Sequence, residues 1–252
     1  MLIVKSFLFS VCVLFFMITS SFAGPLIEVE GRYWVADLEG KAKVTTASSV
    51  GTDINLKDDL GVKDEDLPEV RATLSLLGSS KLRLAYTQVG YSGNQDITRA
   101  VVFDGQTYSL GVNVDTDVDL QYIRLGWIWE FLNISDKIKI SSLIEAKVFI
   151  IEASLITSVI SESESFTGGV PSVGVIVGFQ PFNKIGIFAE VSGIDVGSYG
   201  SLYDAEIGIK INPIDSFSIN VGYRMFDLNF ENDSDYAKLK VTGPFLSGEF
   251  RF

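Results

Sequence analysis

A chain of 252 residues with 47% apolar side chains, 21% charged side chains and a net charge of −12 carries no histidine and a single cysteine. Its mean hydropathy of +0.29 points to a membrane rather than a water-soluble domain, and the apolar content excludes disorder. The 20 Lys+Arg are outnumbered by 32 Asp+Glu and form no basic cluster. That excludes a nucleic-acid surface, which binds by placing clustered cations on phosphates.

At the N-terminus, Lys5 precedes an apolar run from Phe7 to Ile18, followed by Thr19, Ser20, Ser21, Phe22 and Ala23. The run is short for a membrane span, and Ser21 and Ala23 supply the small residues of a cleavage site before Gly24. Residues 1–23 therefore read as a cleaved secretory signal peptide, and 24–252 as one exported domain. Cleavage removes Lys5 and the lone Cys12, which leaves a net charge of −13 and no disulfide chemistry.

Beyond the signal, no charge-free apolar stretch reaches 18 residues, so a helical membrane protein is excluded. The dominant period is two. Ile138, Ile140, Ile144, Ala146, Val148 and Ile150 share one face of a strand, while Lys139, Ser141, Glu145 and Lys147 share the other. Taken along the chain, the pattern predicts strands near 26–37, 68–77, 81–92, 113–131, 138–157, 169–181, 184–194, 201–212, 216–226 and 237–252. Short connections with hairpin residues, such as Gly78–Lys81, Asn133–Lys137, Gln180–Lys184 and Asn212–Asp215, alternate with long ones near 38–67, 93–112, 158–168, 195–200 and 227–236. About ten strands with that alternation predict an all-β transmembrane antiparallel up-and-down barrel, or eight strands if the 68–92 hairpin does not span.

A secreted β-sandwich would alternate too, but its apolar face would point inward. Here the polar faces are rich in charge and glycine, and aromatics gather at strand ends. Phe131, Phe182, Phe217 and Phe252 lie near the short turns, and Tyr91, Tyr199, Tyr203 and Tyr236 near the long loops. Two girdles fit a membrane better than a sandwich core. The inward face then carries Glu28, Glu30, Arg32, Glu69, Arg71, Arg83, Arg124, Glu145, Lys147, Glu190, Glu206, Lys210 and Arg224. The expected lumen network is Arg71, Arg83, Arg124, Glu145, Lys147, Glu190, Glu206, Lys210 and Arg224, because both signs are present to neutralise each other in a narrow interior.

The chain ends Pro244-Phe245-Leu246-Ser247-Gly248-Glu249-Phe250-Arg251-Phe252. This ending resembles the C-terminal signal of Gram-negative outer-membrane β-barrel proteins, with Phe252 terminal and Phe250 and Leu246 on alternate positions. The resemblance implies recognition of Leu246, Phe250 and Phe252 by the barrel-assembly machinery, and a last strand that closes against the first. It extends to small OmpA-like and OmpW-like barrels without selecting a subfamily.

Chemistry is limited by the missing histidine. The omptin-like proteases, lipid A deacylases and outer-membrane phospholipases resemble one another in using histidine as base or water activator, which this chain cannot do. Glu145 and Glu190 remain as a carboxylate pair for glycosidic chemistry, with mutual neutralisation by lumen cations as the stronger reading. Asp53, Asp58, Asp59, Asp64, Glu65 and Asp66 in the first long loop, and Asp115, Asp117 and Asp119, invite a calcium reading. Leu120 stands where a calcium loop needs glycine, and three carboxylates along one strand face sit about 7 Å apart. They read as solvated charge, with divalent bridging to lipopolysaccharide phosphate as the sharper alternative. Beyond them Ile123, Leu125, Trp127, Trp129 and Phe131 keep the same parity, so the strand passes from water into lipid there.

The expectation is a non-enzymatic outer-membrane barrel without cofactor or metal, in contact with lipid and lipopolysaccharide. A narrow channel for ions or small solutes comes first, a structural or surface-interaction barrel acting through acidic loops second, and a hydrolase third.

Overall fold

The computed structural model describes residues 26–43, 45, 51–76, 78–97, 100–103, 106–109, 111–157, 161–232 and 235–252. The expected signal segment, 1–23, and the expected cleavage point before Gly24 lie outside the described residues. Among the described residues fourteen strands follow in chain order: β1 (Ile27–Trp34), β2 (Asp37–Lys43), β3 (Ile54–Asn55), β4 (Leu67–Ser75), β5 (Ser80–Asp96), β6 (Val101–Phe103), β7 (Gln106–Tyr108), β8 (Asn113–Ile134), β9 (Ile138–Ile156), β10 (Ser161–Phe182), β11 (Ile185–Asp195), β12 (Gly200–Ile214), β13 (Phe217–Asn232) and β14 (Asp235–Arg251).

Ten of them, β1, β4, β5 and β8 to β14, form a closed antiparallel barrel. Closure runs from Glu28↔Arg251 to Trp34↔Phe245, so the last strand does pair with the first. The hairpin 68–92 spans the wall through β1–β4, β4–β5 and β5–β8 pairing, which fixes ten strands and removes the eight-strand option. Beyond a break at Val35 and Ala36, β2 continues the line of β1 and pairs with the upper half of β14.

Alternation decides which way each side chain points. Leu125, Trp127, Trp129, Ile144, Val173, Ile207, Val221 and Leu246 all stand exposed on the outer wall, while Arg124, Glu145, Lys147, Glu206 and Arg224 are buried within. Such an apolar outer wall suits hydrocarbon and not water. The short turn between β8 and β9 uses two central residues in left-handed backbone. At Ser135 and Asp136, φ is 53° and 56°, the Lys137 N–H donates to the Ile134 carbonyl (2.9 Å), and Asn133 accepts the Asp136 N–H (3.0 Å).

The long connections differ from their sequence prediction. Of the expected loop 158–168, residues 158–160 lie outside the described residues and the rest is strand from Ser161; of 227–236, residues 233–234 lie outside the described residues and 227–232 and 235–236 are strand, because β9–β10 and β13–β14 continue above the apolar belt. In β10 the stretch 161–165 holds no apolar residue, so the period-two signal disappears although the ladder persists. Residues 93–112 contain the end of β5 and the β6–β7 hairpin, and 38–67 contain β2 and β3. Tyr91 is another correction: it points inward at 5% exposure, sharing parity with Arg83, and is no part of a girdle. Tyr199 and Tyr203 do stand on the outside.

Candidate functional site

The lumen is built in three layers. Midway along it, six cations (Arg32, Arg71, Arg83, Arg124, Lys147, Arg224) meet six carboxylates (Glu30, Glu69, Glu145, Glu190, Asp204, Glu206), all buried. Their ion pairs connect all twelve. Arg224 contacts Glu69 at 2.9 Å and Asp204 at 2.7 Å; Arg124 contacts the same two acids at 2.7 and 3.4 Å. Arg71 links Glu69 (3.1 Å), Glu206 (3.4 Å) and Glu30 (3.7 Å), and Arg32 joins Glu30 (3.0 Å) to Glu206. Lys147 reaches Asp204 and Glu145, both at 3.5 Å, and donates to Ser192 Oγ at 2.8 Å. Arg83 holds Glu145 at 2.9 Å and grips both oxygens of Glu190, at 2.6 and 2.7 Å. Equal numbers of each sign let a low-dielectric interior accept twelve charges without a net field.

Of the nine residues expected to form this network, eight meet in it. Lys210 sits apart, toward the short turns, where it pairs with Glu249 at 2.8 Å. Asp204, which no sequence argument singled out, sits at the centre on three cations; its parity with Glu206 and Lys210 was the available signal.

Above the network, toward the long loops, the lumen turns apolar. Tyr122 stacks on Phe149 at 4.6 Å, and Phe226 closes against both rings at 5.6 and 5.9 Å. Trp34 lies 4.7 Å over the Arg224 guanidinium, and Tyr122 lies 5.7 Å from that of Arg124, so this layer rests on the charges by cation–π contact. The connections then fold over the top as a cap. Ile54, Leu60 and Val62 from the first, and Ile97 and Val101 from the second, are buried with Val89, Tyr91, Leu155 and Leu202. Thr52 and Val102 tie the two connections by reciprocal 3.0 Å hydrogen bonds. Val62 bridges Gly93 of β5, where a Cβ would fall 2.4 Å from the Leu60 carbonyl oxygen, so only glycine admits the cap backbone.

Several acids read as solvated loop charge are fixed in this cap. Asp59 is buried and accepts the Asn55 N–H (2.8 Å), and Lys57 bridges Asp37 and Asp64, each at 2.7 Å. Partial burial pushes the Asp64 carboxyl up, but the Leu38 N–H and the Lys57 ammonium outweigh it and hold the group below its ordinary range. Asp115, Asp117 and Asp119 stand on the outer face of β8, exposed. The register with β5 and β9 runs unbroken past Tyr122, which leaves their parity with Ile123 and Trp127 intact.

Below the network, a cavity of about 470 Å³ opens toward the short turns, lined in part by Glu28, Lys81, Lys139, Lys210 and Glu249. Leu246, Phe250 and Phe252 of the C-terminal pattern all stand on the outer wall, and Phe250 packs on Phe217 at 4.7 Å between ring centroids.

Two solved structures share this architecture. The outer membrane protease OmpT of Escherichia coli superimposes with a TM-score of 0.60 at 8% identity, over 93% of this chain and 99% of that one. The translocator domain of the autotransporter NalP of Neisseria meningitidis does so with a TM-score of 0.50 at 10% identity, over 96% and 93%. The fold is that of an outer-membrane β-barrel. No family model matches the chain. No curated protein matches it either. The likeness thus gives the barrel its architecture and leaves its role to the side chains.

Proposed function

We propose that this barrel resides in the bacterial outer membrane, has no catalytic activity, and acts as a closed scaffold whose long-loop end is an interaction surface at the cell exterior. The observation that supports it is the lumen's closure: a neutral buried network lies beneath a packed aromatic layer and a folded cap. The narrow channel that stood first on sequence grounds would have to displace Trp34, Tyr122, Phe149 and Phe226 to pass an ion. The alternative, a surface-interaction barrel, requires no such displacement.

Catalysis is disfavoured by residue chemistry. OmpT is a protease, but the omptin-like mechanism uses histidine and this chain has none. Glu145 and Glu190 are both held by Arg83, which occupies the carboxylate oxygens that an acid and a base would need free. The expected partners are outer-membrane lipid and lipopolysaccharide around the belt, and the assembly machinery reading Leu246, Phe250 and Phe252 during biogenesis.

Planar-bilayer recording of the refolded chain tests the proposal. It should give no stepwise conductance across ordinary voltages, and reproducible unitary steps would return the channel reading to first place.

A further inference from the structure

Above the apolar belt, one edge of the wall is open. The β11–β12 hairpin turns at Asp195–Gly200, so β10 pairs with β11 only from Val173↔Gly193 downward. On the other side β10 stays paired with β9 up to Ser161↔Ile156. Residues Ser161–Ser172 therefore form an edge strand: among the described residues nothing pairs with them on the side away from β9. The opposite edge of the same upright sheet, on β5, is covered, because Val62 bridges Gly93 and the Lys63 N–H donates to the Ser92 carbonyl at 3.3 Å.

The direction of the free groups follows from two residues. The Gln180 N–H donates to Lys137 on the β9 side, so even-numbered residues of β10 bond toward β9 and odd-numbered ones face away. Pro171 has no N–H and falls in the odd set, where a missing donor costs the β9 ladder nothing. The open edge thus presents the N–H and C=O groups of Ser163, Ser165, Thr167 and Gly169. Water satisfies such a row one group at a time, whereas another extended backbone satisfies it as a whole.

The wall beside this edge specifies charge. Asp115, Asp117 and Asp119 of β8 and Glu152 of β9 share the outward face, Asp119 directly opposite Glu152, and no Lys or Arg lies on the outward face of β5, β8, β9 or β10 at this level. On the other face of the edge, Phe166 is 56% exposed and Gly168 beside it carries no side chain. We infer that the β10 edge takes up an extended polypeptide segment of alternating cationic and apolar residues as an added strand. Its main chain pairs with Ser163–Gly169, its cations share the outward face with Glu152, which stands opposite Ser165 across β10, and its apolar residues lie beside Phe166. This rests on reading the long-loop end as an exterior interaction surface.

The test uses the full refolded chain in detergent micelles and a capped ten-residue peptide alternating Lys and Val. Amide hydrogen exchange at Ser163, Ser165, Thr167 and Gly169 should slow on adding the peptide. Thr167→Pro, which removes one outward donor as Pro171 does naturally, should weaken binding at least tenfold while heat-modifiable gel mobility stays normal. Glu152→Gln should weaken the Lys-Val peptide, and a Glu-Val peptide should bind far less tightly than Lys-Val. Unchanged binding in Thr167→Pro, protection at other amides, or equal binding of the Glu-Val peptide would overturn the inference. Protection of the same amides without peptide, rising with protein concentration, would also overturn it by assigning the edge to a second copy. Unitary conductance would count against the closed-scaffold reading alone and leave these peptide measurements intact.

Discussion

The barrel carries acids in two settings that differ in one respect. Inside, six carboxylates are each held by at least one of six cations; outside, on the upright faces of β8 and β9, Asp115, Asp117, Asp119 and Glu152 have no cation on their wall. Water explains the difference. A buried charge has lost its hydration and must recover the loss from a partner, whereas an exposed one keeps its hydration and is screened within about 8 Å by physiological salt. The inner acids are thus constrained by folding, while the outer ones are free to serve recognition.

The sharpest way to break this comparison is to remove cations from the inside. Arg124→Gln/Arg224→Gln strips Glu69 and Asp204 of four ion-pair contacts, leaving Arg71 on one and Lys147 on the other. A loss on the order of 3–5 kcal/mol is expected for a buried pair broken on one side, read as a lower urea midpoint in detergent. Asp117→Asn on the outer wall should change the same midpoint by no more than about 0.5 kcal/mol. Equal effects at the two sites would mean that the lumen is wet and that its charges are as solvated as those outside.

A smaller effect concerns the packing on which the network sits. The Arg32 guanidinium lies 4.0 Å over the Phe245 ring, and a Cβ at Gly222 would stand 2.3 Å from the Ile207 carbonyl oxygen and 2.6 Å from Phe245 Cζ. Gly222→Val should therefore cost about 1–3 kcal/mol by overpacking, measured by the same urea titration. The added substitution Phe245→Ala should leave the midpoint low, because the Ile207 carbonyl still blocks the Cβ. If Gly222→Val alone is neutral, the ring does not support the arginine as described.

How much of this was legible in the sequence depends on whether a residue's role is written in parity. Arg83, Arg124, Glu145 and Arg224 could be assigned to the lumen because apolar neighbours on both sides in sequence fixed the outward face. Asp204 carries the same information through its parity with Glu206 and Lys210. The upper strand Ser161–Thr167 was not legible, since lipid no longer imposes an apolar face there and Ser-Glu alternation looks like a loop. Closure of the lumen was not legible either. Tyr122, Phe149 and Phe226 lie far apart in the chain, and only the closed register brings their rings to one level.

The smallest expected effect lies between the two settings, at the partly exposed Asp64 of the cap. Its folded pKa lies below the ordinary 3.8, because the Leu38 N–H and the Lys57 ammonium outweigh partial burial. A group lowered in this way contributes fully above the unfolded pKa, and its contribution is lost as pH falls through the folded one. The cap should accordingly be unaffected by acid down to about pH 4 and loosen only below it. With the side chain 48% exposed, solvent screening limits the contribution to about 0.5 kcal/mol or less. The Leu38 amide proton reports it directly, since its hydrogen bond to Asp64 breaks on protonation. Its NMR chemical shift should titrate with a midpoint under 3.8, and the step should vanish in Asp64→Asn. A midpoint at or above 3.8 would show that burial outweighs the Lys57 and Leu38 contacts, and that this acid resembles neither the paired charges inside nor the free ones on the wall.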